Sequence, residues 1–196
     1  GQELMGDYQN MSDNGMPPGG LEEYWETPQT LNRTWGYSKF DGQWKSPETV
    51  IRRLIEIAAK GGNYLLNIGP TGEGSIPPPT LDILARVGRW MRANGQAIYG
   101  ASPAGFLDLP WGRCTVKGTT LYLHVLDPPA DGRLRLPGLK TAVRRAYPLA
   151  APGKTLRAGK QGSTLTVELA GQAAPVVAVE LAGKLEIEPP VIHQQD

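Results

Sequence analysis

One segment, residues 46–70, restricts the fold more than any other part of the chain, because it joins a helix to a buried strand through a tight turn. Ser46-Pro47-Glu48 combines an N-cap, a proline at the first helical position and an acid in the first turn, which predicts a helix start. Apolar residues then recur at helical spacing until Gly61-Gly62, which predicts the helix end. Asn63 to Pro70 is a short apolar run, typical of a strand buried on both faces. The segment therefore indicates an α/β unit.

A second amphipathic helix is predicted from about Thr80 to Asn94-Gly95. The glycine-rich residues 71–75 precede it, but they lack the lysine of a phosphate-binding loop, so we interpret them as a strand-to-helix turn. A buried parallel strand also needs parallel neighbours, and the rest of the chain offers few. The sequence thus predicts a fragment of a βα-repeat fold. Because Gly1 to Tyr8 resembles the interior of a longer protein, we expect the missing part to be N-terminal.

The pattern changes near residues 100–106, where short alternating runs separated by turn signals begin. Lys117-Gly118-Thr119 predicts a hairpin within them. Several short strands at this spacing favour an antiparallel β-sandwich. We therefore predict two domains, residues 1–103 and 104–196. The predicted strands of the second cover residues 113–117, 119–126, 133–136, 141–146, 163–169 and 175–181.

The stretch from Trp25 to Tyr37 contains two tryptophans, a tyrosine, the carboxylate of Glu26 and several short polar side chains, with Leu31 as its one aliphatic residue. A sugar ring has an apolar face that stacks on aromatic rings and hydroxyls that need polar partners, so this composition is typical of a sugar-binding wall. The alternative is an ordinary aromatic corner in which buried rings pack together.

Composition excludes several other kinds of site. The formal net charge of +1 gives no general attraction to nucleic acid or to an anionic membrane surface. One cysteine, Cys114, excludes an internal disulfide, and its strand-like surroundings predict an inert buried thiol. His124 and His193 are too far apart in sequence for a His/Cys metal cluster, so neither metal nor cofactor is expected. No apolar run approaches the ~18 residues that span a bilayer, and no signal segment is recognisable.

Three blocks of residues follow one another along the chain: Trp25-Glu26 with Trp35-Gly36-Tyr37, then Gly61 to Pro70, then Trp90 with Asn94 to Tyr99. Together they resemble the α-L-fucosidases of glycoside hydrolase family 29. The resemblance covers residues 6 to about 100. It implies an α/β plus all-β chain in which residues 1–103 are the last part of a (β/α)-barrel catalytic domain and residues 104–196 are a C-terminal β-sandwich. It also implies retaining hydrolysis of terminal α-L-fucosides without a cofactor.

That reaction uses two carboxyl groups about 5 Å apart, one as nucleophile and one as general acid and base. In the family the nucleophile is an aspartate on a middle barrel strand, and no position of this chain matches its motif. The chain is then a fragment, a split subunit completed by another chain, or part of a longer polypeptide. The N-terminal barrel segment is accordingly an expected partner.

The family resemblance also supplies candidates for the remaining site residues. The acid/base lies in the family on the loop before the Trp-Glu block. Gly6-Asp7-Tyr8 matches that region, but Met11-Ser12-Asp13 replaces the Thr-Pro-Glu of many bacterial members. Asp13 is the acid/base candidate, and Glu26 is its rival or a supporting carboxylate. Trp35 matches an aromatic residue that packs against fucose. Trp25 is a second substrate-binding candidate or holds the loop in place.

The loop of residues 1–24 also carries Glu22 and Glu23 as acidic candidates by position. Two other functions remain open at this point. The chain is either a non-catalytic carbohydrate-binding or interaction module, or a fucosidase relative that has lost its catalytic acid. The expected ligand in the enzymatic case is a fucosylated oligosaccharide or glycoconjugate. Analogy with bacterial family members gives a secreted or periplasmic location.

Overall fold

The computed structural model describes residues 7–17, 24–171 and 174–189. The chain divides into two compact units, residues 1–92 and 93–196. The two units meet at residues 92–93, earlier in the chain than the domain boundary that the sequence predicts at residues 103–104. The predicted boundary stays a prediction.

The first unit contains a three-stranded parallel sheet with the order β1-β2-β3. Its strands are β1 (Gln9–Asn10), β2 (Trp25–Thr30) and β3 (Asn63–Asn67), and its helices are α1 (Pro47–Ala59) and α2 (Pro78–Asn94). The helix start predicted at Ser46 is confirmed, because its side chain accepts a hydrogen bond from the Thr49 amide at 3.1 Å. The turn after β3 is also confirmed by hydrogen bonds between Thr71 and Ser75.

Strand β2 was not predicted, because it contains Pro28 and no aliphatic residue. Its side chains alternate between two faces, as in any strand. Trp25, Thr27 and Gln29 on one face are all at most 1 % exposed. The face of β2 that carries Trp25 is therefore part of the core, as in the alternative interpretation of an aromatic corner.

One face of the sheet packs against the helices through Leu31, Val50 and Ile83, with Tyr64 and Leu66 beside them. On the other face, Leu65 of β3 is 50 % exposed. The prediction that this strand is buried on both faces is therefore wrong for the described part of the chain, where one layer of helices covers only one face.

The second unit is a β-sandwich, as the sequence predicted. One sheet has five strands in the order β4-β5-β6-β11-β8, and the other has three in the order β7-β10-β9. The strands are β4 (Ser102–Pro103), β5 (Gly112–Lys117), β6 (Thr120–Val125), β7 (Arg133–Leu136), β8 (Val143–Pro148), β9 (Arg157–Gln161), β10 (Thr164–Glu168) and β11 (Val176–Leu181). All pairings within it are antiparallel, and the hairpin at Gly118 joins β5 to β6. Strand β9 was missed because all of its residues are exposed and follow no apolar alternation.

The sandwich core is mainly aliphatic and comes from both sheets, with Leu121 and Leu123 of β6 in one cluster with Leu134, Leu136 and Leu165. Cys114 lies in this core, and burial raises the pKa of its thiol, which fits the predicted inert role. Within the described ranges, no helix combines the length and apolar character needed to cross a membrane.

Candidate active site

The candidate site lies at the carboxyl ends of the parallel strands in the first unit. The strands β1, β2 and β3 are followed by the loops of residues 11–17, 31–46 and 68–77. Because the strands are parallel, their carboxyl ends meet at one edge of the sheet, which is where α/β folds bind their ligands. The loop of residues 31–46 is the longest of the three and carries three exposed aromatic rings, Trp35, Tyr37 and Phe40.

A single carboxylate organises this loop. Asp41 Oδ2 accepts hydrogen bonds from the amides of Arg33 and Thr34 at 2.8 and 3.0 Å and from the Thr34 hydroxyl at 3.1 Å. Its Oδ1 accepts from the amide of Gln43 at 3.1 Å. These bonds, of which that from Gln43 has the largest effect, lower the pKa of Asp41. The carboxylate therefore fixes the backbone immediately before Trp35.

Trp35 is 40 % exposed, and its main chain is held from the neighbouring strand. Its carbonyl oxygen accepts a hydrogen bond from Nδ2 of Asn67 at 2.7 Å. Gly69 has a φ of +50°, and a Cβ atom there would lie 3.5 Å from the same carbonyl oxygen. The loop thus packs against the end of β3 while the Trp35 ring keeps an accessible surface. Tyr37 and Phe40 on the same loop are 49 % and 87 % exposed.

A group of hydrogen-bonded polar side chains, called here the polar floor, lies at the end of β2 and includes Thr30, Asn32 and Asn67. The Thr30 hydroxyl donates to Oδ1 of Asn32 at 3.0 Å and accepts from Nδ2 of Asn67 at 3.1 Å. The ammonium group of Lys45 donates to the carbonyl oxygen of Thr30. Burial, with a smaller contribution from the charge of Arg53, lowers the pKa of Lys45. The floor therefore joins β2, β3 and the loop of residues 31–46 through hydrogen bonds.

Asp13 lies in an exposed turn after β1. The Gly15 amide donates to the Ser12 carbonyl oxygen at 2.7 Å, and Asn14 takes the left-handed conformation with a φ of 59°. The turn is tied to β2, because the Asn14 amide donates to the Pro28 carbonyl oxygen at 2.9 Å. Asp13 is thus held near the middle of β2 with its side chain in solvent.

Glu26 is half-buried and lies two residues before Pro28 along β2. It is paired with Asn10 of β1 and Asn63 of β3, so the three side chains share the open face of the sheet. This position is nearer the amino end of β2 than the loops that carry Trp35 and Asp13. The structure therefore places the turn with Asp13 further along β2 than Glu26, and Trp35 in the loop that follows β2.

Trp25 is fully buried, and its Nε1 donates to the carbonyl oxygen of Lys60 at 3.3 Å. Gly62 lies directly against its ring, where a Cβ atom would be 2.4 Å from the nearest ring carbon. No ring face is left for a sugar in this position. The burial favours the second of the two roles expected for Trp25, that of holding the segment in place.

Two residues of the site escaped the sequence interpretation, Asp41 and Asn67. Asp41 lies in a polar segment that matches no motif, and Asn67 lies within a mainly apolar run that predicts only a buried strand. Gly6, Glu22 and Glu23 lie outside the described residues. Across residues 7–17, 24–171 and 174–189, no three histidine, cysteine or acidic side chains are grouped as a metal site requires.

Comparison with protein families places residues 1–96 in a family described as Alpha-L-fucosidase. The chain is 34 % identical over 144 residues to the mouse tissue alpha-L-fucosidase, a match that covers 69 % of this chain and 31 % of the mouse protein. It is 31 % identical over 187 residues to the alpha-L-fucosidase of Branchiostoma floridae, covering 91 % of this chain and 36 % of that protein. The chain thus spans about a third of the length of these relatives. Nothing in these matches supports a separate N-terminal chain as a partner.

Solved structures give the same family. Alpha-L-fucosidase isoenzyme 1 from Paenibacillus thiaminolyticus superposes with a TM-score of 0.81 at 37 % identity, over 89 % of this chain and 45 % of that chain. A trapped covalent intermediate of a GH29 alpha-L-fucosidase from Bacteroides thetaiotaomicron, with 2-fluoro-fucosyl fluoride, superposes with a TM-score of 0.82 at 26 % identity. That match covers 92 % of this chain and 44 % of the bacterial one.

Proposed function

The chain belongs to the alpha-L-fucosidase family, and we propose that it forms the last part of the catalytic (β/α)-barrel and the C-terminal sandwich of an exo-acting α-L-fucosidase. The observation that carries this proposal is Trp35, held half-exposed at the carboxyl edge of three parallel strands by Asn67. Barrel enzymes build their active sites at that edge. An exposed indole and hydroxyl and amide groups at the same edge of the sheet suit the apolar face and the hydroxyl rim of terminal L-fucose.

The proposed mechanism retains the configuration of the sugar. One carboxylate attacks the anomeric carbon, and a second carboxyl group about 5 Å away protonates the leaving oxygen and then deprotonates water. We assign the second role to Asp13. The nucleophile belongs to a strand of the barrel that this chain does not contain, since no position here matches the family's nucleophile motif.

Position along the sheet favours Asp13 over Glu26 as the acid and base. The turn that carries Asp13 is hydrogen-bonded at Pro28, whereas Glu26 lies two residues earlier in β2. Each residue of a strand advances about 3.3 Å, so Glu26 lies about 7 Å further from the carboxyl edge. On the open face of the sheet, Glu26 is flanked by the polar side chains of Asn10 and Asn63. A supporting role for Glu26 within the sheet follows from this position.

The experiment compares Asp13→Ala and Glu26→Ala in the longer polypeptide that contains the rest of the barrel, with 4-nitrophenyl α-L-fucoside as substrate. Asp82→Ala, an exposed acid on α2, is the matched control. Loss of a general acid and base lowers kcat by about 100-fold or more, and we expect this for Asp13→Ala alone. Added azide should restore turnover and yield fucosyl azide, because the anion needs no base. Intact turnover in Asp13→Ala together with its loss in Glu26→Ala would reverse the assignment.

A further inference from the structure

One part of the second unit has an unusual distribution of charge. Although the whole chain has a net charge of only +1, the sequence between Asp131 and Glu168 contains eight basic residues and no acidic one. The whole chain is therefore nearly neutral, whereas this segment is strongly cationic. The eight residues are Arg133, Arg135, Lys140, Arg144, Arg145, Lys154, Arg157 and Lys160.

Acidic side chains from outside the segment neutralise only some of these charges. Arg135 pairs with Asp131 at 2.7 Å, and Arg133 and Arg157 share Glu168 at 3.4 and 3.9 Å. Arg145 lies 3.7 Å from Glu180. Lys140, Arg144, Lys154 and Lys160 form no ion pair with a carboxylate anywhere in the described ranges.

The fold gathers part of this charge around a cleft. Strand β8 is the edge of the five-stranded sheet and β9 is the edge of the three-stranded sheet. Leu156, just before β9, forms an isolated antiparallel bridge with Ala146 of β8. The Leu156 amide donates to the Ala146 carbonyl oxygen at 2.8 Å. A cleft of about 440 Å³ opens here, within the range of ordinary ligand sites.

The lining of the cleft combines cations with a small apolar surface. Arg144, Arg145 and Lys160 line it together with the accessible apolar residues Ala142, Val143 and Ala158, and no acidic or aromatic side chain does so. Arg145 lies over the Tyr147 ring at 4.1 Å, and its buried Nε has no hydrogen-bond partner among the described residues. The Nη2 atom of Arg145 already donates to the Pro152 carbonyl oxygen at 3.1 Å and lies 3.7 Å from Glu180. Arg144 and Lys160 therefore supply the cleft cations that have no carboxylate partner in the described part of the chain, and such cations suit an anion.

We propose that this cleft binds an anionic saccharide, with a sulfate or carboxylate on the cationic side chains and the sugar ring against the apolar residues. The absence of aromatic lining argues against nucleic acid, whose single strands stack on aromatic rings. The cleft is also a concave site of limited size rather than a long groove. The proposal concerns the second unit and does not depend on the assignment of Asp13.

The proposal is tested by isothermal titration calorimetry of the full 196-residue chain with a monosulfated disaccharide and, in parallel, with sialyl-lactose. Arg144→Gln/Lys160→Gln removes two of the cleft cations. Arg89→Gln/Lys117→Gln is the matched control, because it removes one arginine and one lysine from exposed positions on α2 and β5. We expect the cleft variant to weaken binding about tenfold, the control to bind as the unaltered chain does, and affinity to fall as salt is added. Far-UV circular dichroism checks that both variants fold.

The two ligands distinguish a sulfate from a carboxylate as the preferred anion, and binding of either supports the proposal. Three results would overturn it: no binding of either ligand, equal weakening in the control variant, or equal affinity for neutral lactose. Equal affinity for inorganic sulfate alone or for a short oligonucleotide would refute the saccharide assignment.

Discussion

The side chain of Asn67 at the end of β3 donates a hydrogen bond to the main-chain oxygen of Trp35, 32 residues earlier in the chain, at 2.7 Å. The same amide group donates to the Thr30 hydroxyl at 3.1 Å. One side chain therefore joins two parallel strands to the loop that presents the indole. The position of Trp35 is set by the end of a strand and not by the loop alone.

Replacing Asn67 with alanine should free the Trp35 loop. We expect Asn67→Ala to lower the free energy of unfolding of the first unit by about 1 kcal/mol, since a partly exposed hydrogen bond contributes modestly. In the longer polypeptide it should also raise the KM for an aryl fucoside. Urea denaturation and steady-state kinetics measure the two effects. Asn63→Ala on the same strand is the control, because the Asn63 side chain makes one long hydrogen bond of 3.5 Å to the Trp25 carbonyl oxygen. Equal effects of the two variants would contradict the role of Asn67.

The Asp41 carboxylate should make the order of the loop depend on pH. Its pKa is lowered in the folded state, so its stabilising effect is complete above the usual pKa of an aspartate and is lost as the pH falls through the lowered value. Amide hydrogen exchange at Arg33 and Thr34 should therefore speed up, relative to the unfolded chain, at strongly acidic pH. Asp41→Asn should show fast exchange at all pH values, while Asp82→Asn behaves as the unaltered chain. If the Arg33 and Thr34 amides of Asp41→Asn were as protected from exchange as in the unaltered chain, Asp41 would not be what orders the loop.

The contact between Trp25 and Gly62 should not tolerate a methyl group. A Cβ atom at residue 62 would lie 2.4 Å from the indole, whereas nothing lies within 4 Å of one at Gly72. Overpacking of this kind costs about 1–3 kcal/mol. We expect Gly62→Ala to reduce the free energy of unfolding by that amount and Gly72→Ala to leave it nearly unchanged, as measured by urea denaturation. Equal stabilities would mean that β2 and the end of α1 are not packed together.

His124 should make the second unit sensitive to acid. It is fully buried with Nε2 at 2.9 Å from the Thr115 hydroxyl, which donates to the Ala97 carbonyl oxygen, and burial lowers the pKa of the imidazole to about 4. Below about pH 6.5 the unfolded chain binds a proton that the folded chain does not, so stability falls between pH 6.5 and 4, by up to about 3 kcal/mol. Urea midpoints across this range measure the effect.

The chain contains one other histidine, His193, which serves as the control for this titration. His124→Gln should flatten the pH dependence between 6.5 and 4 even though it lowers stability at neutral pH. His193→Gln should keep the full dependence. If His124→Gln kept the full loss of stability between pH 6.5 and 4, a group other than His124 would be the one that titrates.

The sequence predicted those elements whose local signals agree with their packing. Helix α1 has a cap, a proline and an apolar stripe, and most sandwich strands, unlike β9, form short apolar runs between turn signals. Strand β2 was missed because tertiary packing, through Trp25 against Gly62, overrides a proline and a polar composition. Trp35 was identified by family resemblance, but Asp41 and Asn67 were not, since their roles depend on hydrogen bonds to groups distant in sequence.

Fucose release from 4-nitrophenyl α-L-fucoside tests whether this chain supplies Trp35 and the acid/base loop but not the nucleophile. It is measured with the 196-residue chain alone and with a longer polypeptide that includes the proposed N-terminal part of the barrel. We predict no release by the isolated chain above the uncatalysed rate, and release by the longer polypeptide that Trp35→Ala strongly reduces. Hydrolysis by the isolated chain, or full activity of Trp35→Ala in the longer polypeptide, would contradict the claim.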